Sequence, residues 1–246
     1  MTLWRLEWTR IVRTFSAILL PALFVFFAVL GPLTARYLPD LVERFASQIT
    51  IVLPEPTPLE GFVQYLGNVE QLGLAGIVVV ASMAIAIDAK RELSVFFRSR
   101  STVGHLLLPR IVVPFALGMF SVWLGAAVAT IATQIVLGPL PIADVALGTA
   151  LYCAYLVFAV SVVVLVSSFA KPVPVVAIVS IVALILTGIL GLLPVVGEWL
   201  PSALMGATIH LVAGGAWEFT APLVITTGLS AVMIGLGVRR LDRREI

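Results

Sequence analysis

The stretch Asp88-Ala-Lys90-Arg91-Glu92-Leu-Ser-Val-Phe96-Phe97-Arg98-Ser-Arg100-Ser-Thr-Val-Gly104-His105-Leu-Leu-Leu-Pro109-Arg110 stands between two long apolar runs, 72–87 and 111–137. It carries five cationic side chains and two acids. A charge at the centre of a membrane helix costs about 2.5–3.5 kcal/mol on insertion scales, so this segment does not span a bilayer. Leu93, Val95, Phe96, Phe97, Val103 and Leu106 alternate with its charges, so it is not a plain solvated loop either. An amphipathic segment of this size at a membrane face suits docking to a partner protein or to the lipid surface. The plainer reading is a positively charged topology loop.

Working outward, the 246 residues are 61% hydrophobic and only 11% charged, and the mean hydropathy is +1.14. Soluble domains carry about 25% charged residues, so the composition reads as an integral membrane protein. The apolar residues fall into several runs of about 20, the length that crosses a bilayer as a helix. The expected fold class is therefore an all-α integral membrane bundle, a single domain over 1–246. The one cysteine, Cys153, excludes an intrachain disulfide. The pI of about 9.0 does not point to nucleic acid, because the basic residues are partitioned by loop.

Residues 3–13 read as a short amphipathic helix lying in the interface. Trp4, Trp8, Ile11 and Phe15 recur at helical spacing, and Arg5, Arg10 and Arg13 can snorkel to lipid headgroups. A cleaved signal peptide fits less well, since the apolar run is long and no Ala-x-Ala follows. Span one is expected at 14–35, with Pro21 and Pro32 inside it. Residues 36–71 form a polar segment with Asp40, Glu43, Glu55, Glu60 and Glu70, broken by Pro54, Pro56 and Pro58, with 41–45 and 62–66 suited to short helices on either side. Spans two to five are expected at 72–87, 111–137, 145–168 and 175–193. Residues 194–217, interrupted by Pro194, Gly197, Glu198, Pro201, Gly206, His210 and Gly214, suit two half-helices dipping into the outer leaflet. Span six is expected at 219–238.

Thirteen of the 15 Lys and Arg residues lie in the N-terminal segment, in 88–110, at Lys171 or in the tail from Arg239 onward. That asymmetry puts both termini in the cytosol. The chain holds no P-loop for phosphates, no His-Glu-x-x-His pair and no Gly-x-Ser-x-Gly elbow. It is expected to be non-catalytic, with no metal site and no cofactor of its own. Coupled carriers keep ionisable residues near the bilayer midplane, and the expected spans hold charges only at their ends, at Asp88, Asp144, Glu218 and Arg239. Small residues recur every four positions in span three (Ser121, Gly125, Ala129, Thr133) and span six (Thr227, Ala231, Gly235), a spacing that suits packing within the bundle.

This layout resembles the membrane subunit of type-2 ABC transporters, a family that includes many small bacterial exporters. The likeness covers nearly the whole chain. It rests on the interfacial helix Leu3–Arg13, the charged segment after span two, the broken segment before span six and the ending Arg239-Arg-Leu-Asp-Arg-Arg-Glu-Ile246. Many relatives have an acid, then basic and acidic residues, then Gly-Thr, an apolar stretch and Pro-x-x-Arg. Asp88-Ala-Lys90-Arg91-Glu92 matches the charged start and Val95-Phe96-Phe97 the apolar stretch. Glu92-Leu93 stands in place of Gly-Thr, and Ser101–Gly104 in place of Pro-x-x-Arg.

The resemblance implies a six-span permease of a bacterial inner membrane, paired with a second permease that is identical or related. Two separate ATPase subunits would bind ATP and Mg beneath them. Asp88, Lys90, Arg91, Glu92, Phe96, Phe97, Arg98 and Arg100 would form the coupling helix seated in the ATPase. Trp4, Arg5, Trp8, Arg10 and Arg13 would belong to the interfacial helix beside it. Pro194, Glu198, Pro201 and His210 would belong to an outer gate. The function implied is export by alternating access. The alternatives are a non-transporting membrane anchor or assembly subunit, and a secondary carrier.

Overall fold

The computed structural model describes residues 3–45, 56–85, 103–193 and 196–243, and every regular element among them is helical. Helix α1 (Leu3–Arg13) turns through an elbow into α2 (Ser16–Phe45). Helix α3 (Pro58–Asn68) runs through a π turn (Val69–Gly73) into α4 (Leu74–Ile85). Helices α5 (Val103–Val136), α6 (Ile142–Ser167) and α7 (Val173–Leu190) follow. A broken stretch then holds two 3₁₀ turns, Gly197–Trp199 and Pro201–Leu204, and the short α8 (Ala207–Val212) before α9 (Thr220–Asp242).

Among the described residues, six stretches are long and apolar enough to cross a membrane: Ser16–Asp40, Pro58–Ile85, Gly104–Val136, Ile142–Ser167, Val173–Leu190 and Thr220–Asp242. The chain is a multi-span, all-helical membrane protein with a short helix before its first span. Helix α6 is the hub. In its most apolar stretch 72% of residues are buried, against 22% in α7 and in α9. The most extensive pairings are α2 with α5 and α6 with α9.

Lipid is as apolar as leucine, so this bundle is held by close packing rather than by escape from water. Gly31 lets α2 meet α3, since a Cβ there would lie 2.7 Å from the backbone nitrogen of Tyr65. Gly148 lets α6 meet α8, since a Cβ there would overlap the backbone of Thr208. Several buried hydroxyls bond within their own helices: Ser121 donates to Leu117 O, Thr130 to Ala126 O, Thr149 to Val145 O and Ser230 to Thr226 O, whereas those of Ser82, Thr133 and Ser180 have no partner among the described residues. The first stripe of small residues, Ser121, Gly125, Ala129 and Thr133, is buried in the bundle as expected. The second, Thr227, Ala231 and Gly235, faces outward from α9, which corrects the expectation of internal packing.

Spans four to six lie within four residues of their expected ends, whereas span three starts eight residues early, at Val103. Span one continues beyond 35, and its helix passes without interruption through Pro21, Pro32 and Pro39. Span two differs most. It begins at Pro58 rather than 72 and forms a 28-residue helical stretch. The reason is a helix start that the expected polar segment 36–71 concealed. Thr57 Oγ1 accepts from the Glu60 backbone N–H, Glu60 Oε2 accepts from the Thr57 N–H at 2.7 Å, and Pro58 sits at the first helical position. From there Phe62, Tyr65, Leu66 and Val69 follow at helical spacing, and all four are buried.

Candidate functional site

Two features stand apart from ordinary packing: a charge cluster where α1 meets the bundle, and a carboxylate in the middle of span two. In α1, Leu3, Glu7 and Ile11 recur every fourth residue and turn inward. Trp4 and Trp8 flank that face at 46% and 62% exposure, and Arg5 and Arg13 are exposed, as a helix lying in an interface requires. The elbow to α2 is set by Phe15, whose φ of 57° is a left-handed conformation that side chains rarely adopt. Thr14 Oγ1 stabilises it by donating to Arg10 O at 2.9 Å.

Glu7 is 2% exposed. Arg10 Nε donates to its Oε2 at 2.7 Å, and Arg110 Nε of α5 lies 3.0 Å from its Oε1. Arg10 Nη1 also donates to Met83 O, in the last described turn of α4, at 2.9 Å. One carboxylate thus ties α1 to α5 directly and to α4 through Arg10. Arg10 was expected to reach out to headgroups. It turns inward instead, because Glu7 supplies a buried counter-charge. Glu7 was not among the expected site residues, although an acid on the Leu3/Ile11 face is itself a sign that a cation approaches from elsewhere.

At the opposite end of the bundle the broken segment packs on α6 and α9. Glu198 is exposed in the first 3₁₀ turn, and Pro201 is buried at the start of the second. His210 is exposed on α8, and its Nε2 bonds Ala216 O at 3.0 Å, so that nitrogen carries the hydrogen. Its ring meets Phe219 edge-on, 5.6 Å between centroids. His210 therefore clasps the turn into α9. Glu198, Pro201 and His210 are drawn together only as parts of this one folded stretch. Pro194 lies outside the described residues, as do Asp88, Lys90, Arg91, Glu92, Phe96, Phe97, Arg98 and Arg100 of the expected coupling segment. Among the described residues no group of three His, Cys, Asp or Glu side chains is placed to hold a metal.

Glu70 corrects the expectation that the spans carry charge only at their ends. It lies in the π turn, 12 residues from Pro58 and 15 from Ile85. At 1.5 Å per residue that is about 18 Å and about 22 Å from the two ends, near the middle of the span. Glu70 lines a cavity of about 450 Å³ between α4, α6 and α7, together with Gln71, Tyr155, Leu184, Ile185 and Met205. Met205 comes from the broken segment, so that segment borders the cavity. Glu70 Oε1 is buried and accepts no hydrogen bond from a described residue, and neither does the Tyr152 hydroxyl make one. Buried polar atoms without partners are uncommon in folded proteins, and π turns recur where helices carry function. No family model matches the chain, and no curated protein or solved structure matches it.

Proposed function

We propose that this chain is the permease subunit of an ATP-driven exporter in a cytoplasmic membrane, moved by separate ATPase subunits. The observation that supports this reading is the Glu7 cluster. It joins α1, the end of α4 and the start of α5, and the last two flank the basic segment 86–102. A partner that grips that segment would move three helices as one body. Rigid elements joined at a junction are what a force from outside the membrane needs in order to reach the spans. In this reading both termini face the cytosol, Phe96 and Phe97 anchor the ATPase, and a second permease completes the pathway. ATP and Mg are then held by the partner, and the cycle is a shift between inward-open and outward-open states.

A second reading, a carrier driven by an ion gradient, is favoured by Glu70. An ionisable residue at mid-span is the usual mark of ion coupling. The two readings separate in one experiment. The protein is extracted from its native membranes in mild detergent, its companions are identified, and ATP hydrolysis is measured. A stoichiometric P-loop subunit with vanadate-sensitive hydrolysis is expected, and F96A/F97A should release it while the permease still inserts. Ion-driven flux by the chain alone, with no nucleotide-binding companion, would replace the exporter by the carrier.

A further inference from the structure

We propose that the cavity between α4, α6 and α7 binds an organic monocation with an apolar body, and that the Glu70 carboxylate is its counter-charge. The inference concerns the cavity itself and holds whichever energy source drives transport.

Charge complementarity carries it first. Glu70 is the single charged residue among the described residues that line the cavity, and no lysine or arginine faces it there. A carboxylate in a medium of low dielectric is costly unless a counter-charge meets it or a proton neutralises it. Among the described residues, none donates to Glu70 Oε1 and no lysine or arginine lines the cavity. One acid calls for one positive charge.

The remaining lining decides what kind of cation. A bare Mg²⁺ or Ca²⁺ takes six to eight oxygens, and around Glu70 only Gln71 and Tyr155 add polar side chains. Most of the wall is aliphatic, from Leu184, Ile185 and their neighbours, which suits a hydrocarbon body. Tyr155 also lines the cavity, and an aromatic ring attracts a cation where water is excluded. At about 450 Å³ the space falls within the range of small-molecule sites. Ile185 is 56% exposed, so the cavity reaches the outside of the bundle on the α7 side. A lipophilic cation dissolved in the bilayer can enter by that route.

The test uses the purified full-length chain in lipid nanodiscs without any ATPase, with tetraphenylphosphonium as probe. Binding is measured by equilibrium dialysis against empty nanodiscs, with triphenylphosphine oxide as a neutral companion of similar shape. Two variants separate charge from volume. Glu70→Gln keeps the size of the side chain and removes its charge. Gly188→Leu fills the cavity, since Gly188 lines it and an added Cβ there meets no atom within 4 Å.

Saturable binding of about one cation per chain is expected, weakened tenfold or more by E70Q with little change for the oxide. G188L should abolish the binding of both. The absence of saturable binding above empty nanodiscs would overturn the proposal, and so would a cation affinity unchanged in E70Q or in G188L. Because no ATPase is present, failure here leaves the exporter reading standing, and loss of the exporter reading leaves this result intact.

Discussion

Replacing Glu7 by Gln tests the junction between α1 and the bundle most directly. Glutamine has nearly the same size and can still accept a hydrogen bond from Arg10, so the change removes charge and little else. Glu7 is 2% exposed, and the side chains of Arg10 and Arg110 are 27% and 14% exposed, so water screens this cluster poorly. Breaking a buried pair from one side costs about 3–5 kcal/mol, because the remaining charge stays buried. Arg10 is the more exposed of the two and keeps its bond to Met83 O, which argues for the lower end, about 3 kcal/mol. For a chain of this length each kcal/mol moves the melting temperature by about 2–4 °C, so E7Q should melt about 6–12 °C lower. The assay is thermal unfolding in detergent. It is repeated for R110M and for the double variant, whose loss should be well short of the sum of the two single losses, as for residues in contact. A melting temperature within about 2 °C of the parent protein, or strictly additive losses, would refute the junction.

Further outcomes follow from the packing. T57A removes the capping box that starts span two and should cost about 0.5–2 kcal/mol in the same assay, with faster amide exchange at the start of α3. G148A places a methyl group against the Thr208 backbone and should destabilise by about 1–3 kcal/mol, raising exchange in α8. G228A, in an α9 glycine whose added Cβ meets no atom within 4 Å, is the contrast and should be neutral or stabilising by up to about 1 kcal/mol. Equal losses in G148A and G228A would remove the close approach of α6 and α8 as an explanation.

The last three spans were legible because long apolar runs are bounded by turn residues, as at Pro139, Pro141 and Lys171-Pro172. Span two was not, for a physical reason. Glu55, Glu60 and Glu70 with three prolines outweigh Phe62, Tyr65 and Leu66 in any average of hydropathy over 36–71. Yet Thr57-Pro58-Leu59-Glu60 is a helix-start pattern, and reading it would have carried Glu70 into the membrane. Glu70 within span two removes the absence of mid-span charge that disfavoured a carrier. Glu7 was harder. Its partner Arg110 lies far along the chain, so the acid on the inward face of α1 is visible in the sequence but the distant cation that meets it is not. The outward stripe of α9 shows the same limit: small residues at a four-residue spacing look alike whether they meet a neighbour or face the bilayer.

The π turn can also be regarded as a phase slip. Its wider loop inserts about one residue beyond what an α-helix needs, so the half before Val69 is rotated by about 100° relative to an unbroken count back from Leu74. Phe62 and Tyr65 reach the core above the slip, and Leu74, Ile77 and Ala81 reach it below. Both halves face inward only because the slip reconciles them. A chain one residue shorter between Val69 and Gly73 could keep nearly every side chain and still lose one of the two alignments. What positions this helix is therefore a count of residues along the chain, and that count has no chemistry of its own.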